Sequence, residues 1–488
     1  MNSKLQQIAK EASSMKRTEN GALAYNTTDN SLVDLFAVIG ALRPRTESEI
    51  RDKFANAFNQ DALLATKMLF YAGNIRGGLG ERRTFRICLK WLAENYPSIV
   101  EKNMGAIPLF NRWDSIFTLV GTSCEDNMWV FICDQLVEDW NNYMNHKSVS
   151  LLAKWMPSEN TSSLNTRRLA KKARQNLGLT SRQYRKILST LRRYLDVTEV
   201  KMAGRKWESI NYEAVPSRAM MNYNNAFKRH DSEGFGRYLE SLNRGEKKIN
   251  ASTLYPYDLV KEFCYSNFFQ KSNVAEQQWK ALPNYIEEDS NILVMADVSG
   301  SMYGRPIETS IGLAIYFAER NSGPLEGVYM TFTSRPHFQY VNKEDTLERK
   351  VQKVLNTDVG YSTDLEAAFD YLLAQAVQND FSQKDMPEAI VVISDMEINY
   401  YMSPRYEWDF IKAQKVKYAS EGYELPKMIL WNVEARNDTM LSKSDDVLFI
   451  SGQSPSSFKS LLGNLSGVTN WDLMLKTLND EMYDCITV

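Results

Sequence analysis

Asn291-Ile-Leu-Val-Met-Ala-Asp-Val-Ser-Gly-Ser-Met302 decides how this chain folds. An uninterrupted apolar run of strand length ends in Asp297-x-Ser299-x-Ser301. Three oxygen-bearing side chains at alternate positions, just past a buried strand, suit a hard divalent cation. The competing reading is that Asp297 and Ser299 merely cap the following helix. Two later segments favour the cation. Gly360-Tyr-Ser-Thr363-Asp364 opens an amphipathic run, and Ala389-Ile-Val-Val-Ile-Ser-Asp395 is a second apolar strand ending in an acid. In an open α/β sheet ligands gather beyond the carboxyl ends of the parallel strands, where the strand order reverses. Asp297 and Asp395 both belong at such ends.

Working outward, the second half alternates strand and helix patterns. Strands are expected at Ile292–Ala296, Val328–Thr333, His337–Val341, Ala389–Ser394, Lys427–Val433 and Val447–Ile450. Helices are expected at Pro306–Arg320, Thr346–Leu355, Asp364–Val377, Arg405–Ala419, Ser456–Leu462 and Trp471–Asn479. This alternation predicts a mainly parallel, doubly wound sheet covered on both faces. The polar, acidic stretch Pro283–Ser290 reads as the linker into it.

The first half is different. From Ser31 to Asn145 apolar residues recur at three and four spacing, with breakers at Gly73–Gly80, Pro97, Pro108 and Gly121, as in stacked helical hairpins. The Gly-rich Arg76-Gly-Gly-Leu-Gly-Glu-Arg-Arg83 lacks the Gly-Lys-Ser/Thr ending of a phosphate loop and follows no strand, so it reads as a helix-connecting turn. The chain divides at about 285, into residues 1–285 and 286–488.

The composition, 43% apolar and 24% charged over 488 residues, is that of a globular protein with two or three domains. No apolar window is long enough for a membrane span, and the N-terminus lacks the apolar core of a secretory signal. Five scattered cysteines without C-x-x-C spacing read as reduced thiols, so a cytoplasmic location is expected. Three histidines and no His-Cys cluster leave little basis for zinc or for histidine acid-base catalysis.

The net charge of −2 conceals segregation. Between Lys154 and Lys248 stand 21 Lys and Arg against 9 Asp and Glu, whereas from Ala281 onward there are 17 against 31. Arg167, Arg168, Lys171, Lys172, Arg174, Arg182, Arg185, Lys186, Arg192 and Arg193 form a run without one acid. Like charges at helical spacing repel, so a one-signed helix face points to a polyanion, with phosphate backbones first. Cover by the chain's own acidic half is the alternative. Tyr184, Tyr194, Trp207, Tyr212, Tyr223 and Phe227 accompany the cations as base-stacking candidates, although aromatics at helical spacing usually belong to the core.

Asp297, Ser299, Ser301, Thr363 and Asp395 match the five positions of the metal-ion-dependent adhesion site (MIDAS) of von Willebrand factor A (vWA) domains, which this half resembles. The resemblance implies Mg2+, or another divalent cation such as Mn2+ or Ca2+, with a sixth ligand open to a partner carboxylate. One departure stands out, because many such domains place Gly after the last Asp and this chain has Met396-Glu397. Together with Asn111-Arg-Trp-Asp114, Ala153-Lys-Trp-Met-Pro-Ser158 and Leu254-Tyr-Pro-Tyr257, the Gly-rich turn resembles an uncharacterised family joining a TROVE-like helical domain to a vWA domain. More distantly the architecture resembles the Ro autoantigen family. That implies a HEAT-like helical ring or arc followed by a Rossmann-like vWA domain, a multidomain α plus α/β fold. It further implies small non-coding RNA on the basic face. With the composition and the hydroxyl-rich site, the expectation is a cytoplasmic, non-enzymatic ribonucleoprotein that holds small non-coding or misfolded RNA and meets no membrane. The alternative is a metal-dependent adaptor that binds acidic protein ligands without RNA.

Overall fold

The computed structural model describes residues 15–19, 21, 23–265, 273–286, 291–331, 335–356, 364–398, 410–438, 440, 446–461 and 465–488. The N-terminal part is mostly helical. A two-stranded antiparallel hairpin, β1 (Met15–Arg17) and β2 (Leu23–Tyr25), precedes a succession of helices that starts at Ser31–Val38. Local signals explain where these helices start. Asn30, Thr46 and Asp61 each accept backbone N–H bonds as N-caps, and Thr46 with Glu49 forms a capping box.

The C-terminal part is a mixed six-stranded sheet of β3 (Ile292–Ala296), β4 (Val328–Thr331), β5 (His337–Tyr340), β6 (Ala389–Ser394), β7 (Lys427–Asn432) and β8 (Val447–Ser451). Its order is β5-β4-β3-β6-β7-β8, parallel except for the edge pair β4 and β5. Every residue of β3, β6 and β8 is buried, as continuous apolar runs in a sheet covered on both faces require. The chain runs from β3 to β4 on one side and returns to place β6 on the other. The strand order therefore reverses between β3 and β6, and a ligand-gathering crevice belongs there. Helix bounds follow the sequence pattern to within a residue or so, as at Arg305–Arg320 and Leu347–Leu355, and the segment expected from Ser456 is a 3-10 helix at Pro455–Leu461. Of the helix expected from Arg405 to Ala419, residues 405–409 lie outside the described residues, and the described helix is Phe410–Ser420.

One core runs through both parts, from Leu32 of the first helix to Ile486 near the C-terminus. A second, smaller cluster gathers Ile210, Tyr212, Val215, Phe227, Phe235 and Tyr238. The joint between helices and sheet is tight. Gly40 N–H donates to Ser451 Oγ at 3.0 Å, and a Cβ on Gly40 would stand 2.7 Å from the backbone of Gly452. Asp438 is gripped by Arg45 and Lys53 from the helical side. Gly40→Ala is therefore expected to force that joint apart and destabilise the whole chain by about 1–3 kcal/mol, read as a lower urea midpoint. An unchanged midpoint would show that the two parts slide freely past each other.

Among the described residues no helix is long and apolar enough to cross a membrane. All five cysteines are free thiols.

Candidate metal centre and nucleic-acid interface

Register brings the two strand-end acids together. Ala296 of β3 pairs with Ile393 of β6, and the next N–H, that of Asp297, donates to the Ile393 carbonyl at 3.0 Å. Asp297 therefore lies opposite Ser394, one step short of Asp395. Both acids are almost fully buried. Asp297 Oδ1 accepts from the Ser299 N–H at 2.9 Å, and Oδ2 accepts from Ser394 Oγ at 2.6 Å. The hydroxyls of Ser299 and Ser301 are 3.1 Å apart. Burial, then the neighbouring Asp395 charge, pushes the Asp297 carboxyl up to about 6, against hydrogen bonds from Ser299 and Ser394 that pull it down. Among the described residues Asp297 has no cationic partner, and hydrogen bonds alone hold its carboxyl.

Thr363 lies outside the described residues. Its neighbour Asp364 is the N-cap of the Leu365–Gln378 helix, accepting from the Ala367 N–H at 2.9 Å. Four of the five expected positions can thus be placed, and all four stand at the β3 and β6 ends. Among the described residues no three His, Cys, Asp or Glu side chains converge as a metal-binding group, so any cation here depends on hydroxyls as well as acids.

Three neighbours were not anticipated. Ser394 is the hydroxyl behind Asp297. Arg436, from the loop after β7, ion-pairs with Asp395 and donates to the Ser301 carbonyl at 3.1 Å. Glu19, from the β1–β2 hairpin, reaches the same edge: its N–H donates to Glu397 at 2.6 Å and its carboxylate stands 3.9 Å from Arg436. Because β7 is parallel to β6, its following loop opens at the same edge and delivers Arg436 there. No local signal points to Glu19.

The Met396-Glu397 departure acquires a physical meaning. Met396 has φ +65°, the left-handed conformation in which glycine is the unstrained residue. Its side chain is buried at a small cavity shared with Ala37 and Val38 of the first helix, so backbone strain is exchanged for packing at the joint. Glu397 is buried, accepts from Asn437 Nδ2 at 3.0 Å, and donates its N–H to Asp395 Oδ1 at 3.1 Å. It faces the hairpin and Asn437.

The basic run forms two helices, Leu164–Asn176 and Ser181–Tyr194, separated by Gly178 at φ +62°. Ser163 caps the first, and Thr180 with Gln183 makes a capping box on the second. Ala170 and Ala173 on one, and Tyr184, Leu188 and Leu191 on the other, face inward.

The ten cations divide by environment. Arg192 is structural: its guanidinium donates to the Ala153 and Met156 carbonyls at 2.8 and 2.7 Å and to Ser158 Oγ at 2.9 Å. Lys172 pairs with Glu125 at 2.6 Å, while Arg174 and Arg185 share Glu159 at 3.1 and 3.8 Å. Arg167, Arg168, Lys171, Arg182, Lys186 and Arg193 are exposed and, among the described residues, their side chains make no ion pair or hydrogen bond. None of the ten pairs with a described residue of the acidic half, so the intramolecular alternative finds no contact there.

Of the aromatics, Tyr184, Tyr212 and Phe227 are core; Tyr194 is 37% exposed and packs edge-on against Tyr143, and Trp207 stacks on His230. The Gly-rich turn spends its backbone on the helix behind it. Leu79 and Glu81 N–H donate to the Tyr71 and Ala72 carbonyls, as a helix-connecting turn requires.

The chain is 29% identical over 492 residues to "Uncharacterized protein L728" of Acanthamoeba polyphaga mimivirus, across 91% of this chain and 84% of the relative. The crystal structure of the Ro (RSR) protein of Deinococcus radiodurans superposes at TM-score 0.43 and 12% identity, covering 93% of this chain and 99% of that one. Residues 291–481 match the domain of unknown function DUF7788. Residues 18–111 and 130–292, more than half of the chain, match the domain of unknown function DUF2828, and the chain belongs to that family.

Proposed function

We propose that this protein is a Ro-like RNA-binding protein that holds small structured or misfolded RNA on its basic helices. One observation carries the reading: six exposed cations on two adjacent helices stand without a described counter-charge. Such a face costs stability through like-charge repulsion and repays it on a phosphate backbone, where each neutralised phosphate releases condensed counterions. The helical part would be the arc that presents this face. The sheet part would be a vWA domain that closes the arc or recruits partners.

In this reading Asp297, Ser299, Ser301, Thr363 and Asp395 hold Mg2+. The all-oxygen donor set suits a hard cation, and Asp297 is a buried carboxylate with no cationic partner among the described residues. Bound there, Mg2+ supplies an electrophilic point for an incoming oxygen ligand. A binding role is favoured over catalysis, since two-metal phosphoryl chemistry calls for more carboxylates than this hydroxyl-rich set provides.

A second reading, a metal-dependent adaptor for acidic protein segments, draws on Glu19, a carboxylate already standing at this edge.

Ultraviolet crosslinking of the full chain purified from cells, with sequencing of the attached nucleic acid, tests the first reading. RNA joined to peptides within 164–194 is expected. Protein ligands captured in Mg2+ with no RNA attached would transfer the case to the adaptor.

A further inference from the structure

Away from both sites, three guanidinium groups converge on one carboxylate. Arg82 ion-pairs with Asp114, Arg86 Nη2 lies 3.4 Å from Asp114 Oδ2, and Arg112 Nη2 lies 2.9 Å from the same oxygen. Arg86 Nη2 also donates to the Asp114 carbonyl at 2.9 Å. One negative charge thus stands against three positive ones. The arginines remain open to solvent at 39, 34 and 34% side-chain exposure.

The imbalance is visible in the chemistry of the groups. Partial burial, with the like charges of its two arginine neighbours, holds Arg82 down to about 10 despite Asp114. Arg86 is lowered by burial and by Arg112. Neither Arg82 nor Arg86 has a described acceptor for its Nη1. Both also stand in the first turns of the Arg82–Asn95 helix, whose N-cap residue Glu81 contributes no side-chain cap. Cations are disfavoured there, because the helix dipole presents partial positive charge at that end. Two costs therefore meet at one point, repulsion and adverse dipole, beside donors that are open to a ligand. A tetrahedral dianion would relieve both and occupy those donors, since guanidinium pairs are matched to phosphate oxygens.

The cluster also connects to the basic helices. The Arg112 guanidinium lies 4.2 Å over the Trp155 ring, and Lys154 Nζ is 5.8 Å from the same ring. Arg192 of the second basic helix anchors the carbonyls on either side of that Lys154-Trp155 pair.

We infer that Arg82, Arg86 and Arg112 form a phosphate-binding subsite opposed by Asp114, which takes a phosphoryl group of an RNA strand lying on the basic helices. The inference rests on the RNA reading for the source of the phosphoryl group, but not for the subsite itself. Asp114 acts as a stand-in anion that keeps three arginines gathered and is pushed aside by the better ligand.

The test uses the full chain, inorganic phosphate and a 5′-phosphorylated oligoribonucleotide. Millimolar phosphate is expected to raise the Tm of the wild type. Arg86→Gln should weaken phosphate binding by about tenfold. Asp114→Asn is the decisive variant. A carboxylate that only ties the arginines together gives a less stable Asp114→Asn protein that phosphate does not help. A competing anion gives one whose phosphate affinity rises by about tenfold and whose lost Tm phosphate restores. Equal phosphate response in the wild type and both variants, or none in any, overturns the subsite. Loss of phosphate binding in Arg86→Gln with unchanged RNA affinity overturns RNA as the source and leaves a site for free phosphate. Loss of RNA affinity in Arg86→Gln, with none on neutralising the basic helices, supports the subsite and defeats the wider RNA face.

Discussion

Replacing Arg167, Arg168, Lys171 and Lys186 together by glutamine is expected to weaken RNA binding by about a hundredfold at low salt. The slope of log affinity against log salt should flatten by about 3. All four side chains are exposed and, among the described residues, without a counter-charge, so each is free to displace a counterion. Unfolding is not the expected cause of the loss. Arg167 with Lys171 stand four apart on one helix, and removing such like-charged neighbours stabilises an isolated helix by about 0.2–0.5 kcal/mol per pair. Circular dichroism should therefore show helicity maintained. Lys172→Gln is the internal comparison, because Lys172 already pairs with Glu125 and should change the slope less than Lys171→Gln does. If the quadruple variant keeps its affinity and slope, the polyanion face is elsewhere or absent.

Asp297→Ala is expected to abolish the rise in Tm that Mg2+ gives the wild type, with metal affinity falling by at least about a hundredfold. Asp297 is at the centre of the edge: bonded to Ser299 and Ser394, with its carboxyl held up first by burial and then by the Asp395 charge. Arg436→Gln should act in the opposite sense. Arg436 is the cation that Asp395 has in this structure, so its removal leaves a buried carboxylate unpaired and lowers metal-free stability by about 2 kcal/mol. The same removal takes away a competitor, and Mg2+ should bind about tenfold more tightly and restore the lost stability. Isothermal titration with Mg2+ and thermal melts with and without it read both effects. An Asp297→Ala protein that still gains stability from Mg2+ at the wild-type concentration would remove this edge from consideration.

Much of the architecture was readable because it is periodic. Strand β3 is wholly apolar and β6 is apolar up to Ser394, each is followed directly by an acid, and their bounds agree with the sequence pattern residue for residue. The capping boxes of Thr46 with Glu49 and of Thr180 with Gln183 are bonds between near neighbours, and so are local in kind. Arg192 shows the limit of such reading. It lies in an uninterrupted basic run beside Arg193, yet points inward to the Ala153 and Met156 carbonyls, while Arg193 faces solvent. Composition assigns the two residues one role; the packing of the segment around Trp155 separates them.

Residue order is therefore a local guide: it gives which segments are strand or helix, that an acid follows each of two apolar strands, and that positive charge is concentrated between Lys154 and Lys248. These depend on alternation, capping and composition, which act over a few residues. It takes the packed fold to bring Arg436 and Glu19 to the edge with Asp395, to turn Met396 left-handed so that it packs beside the first helix, and to gather Arg82 and Arg86 with Arg112 over Asp114. Those partners come from distant segments of the chain. A side chain's surroundings are set by whichever elements the core brings against it, and no local pattern encodes that choice.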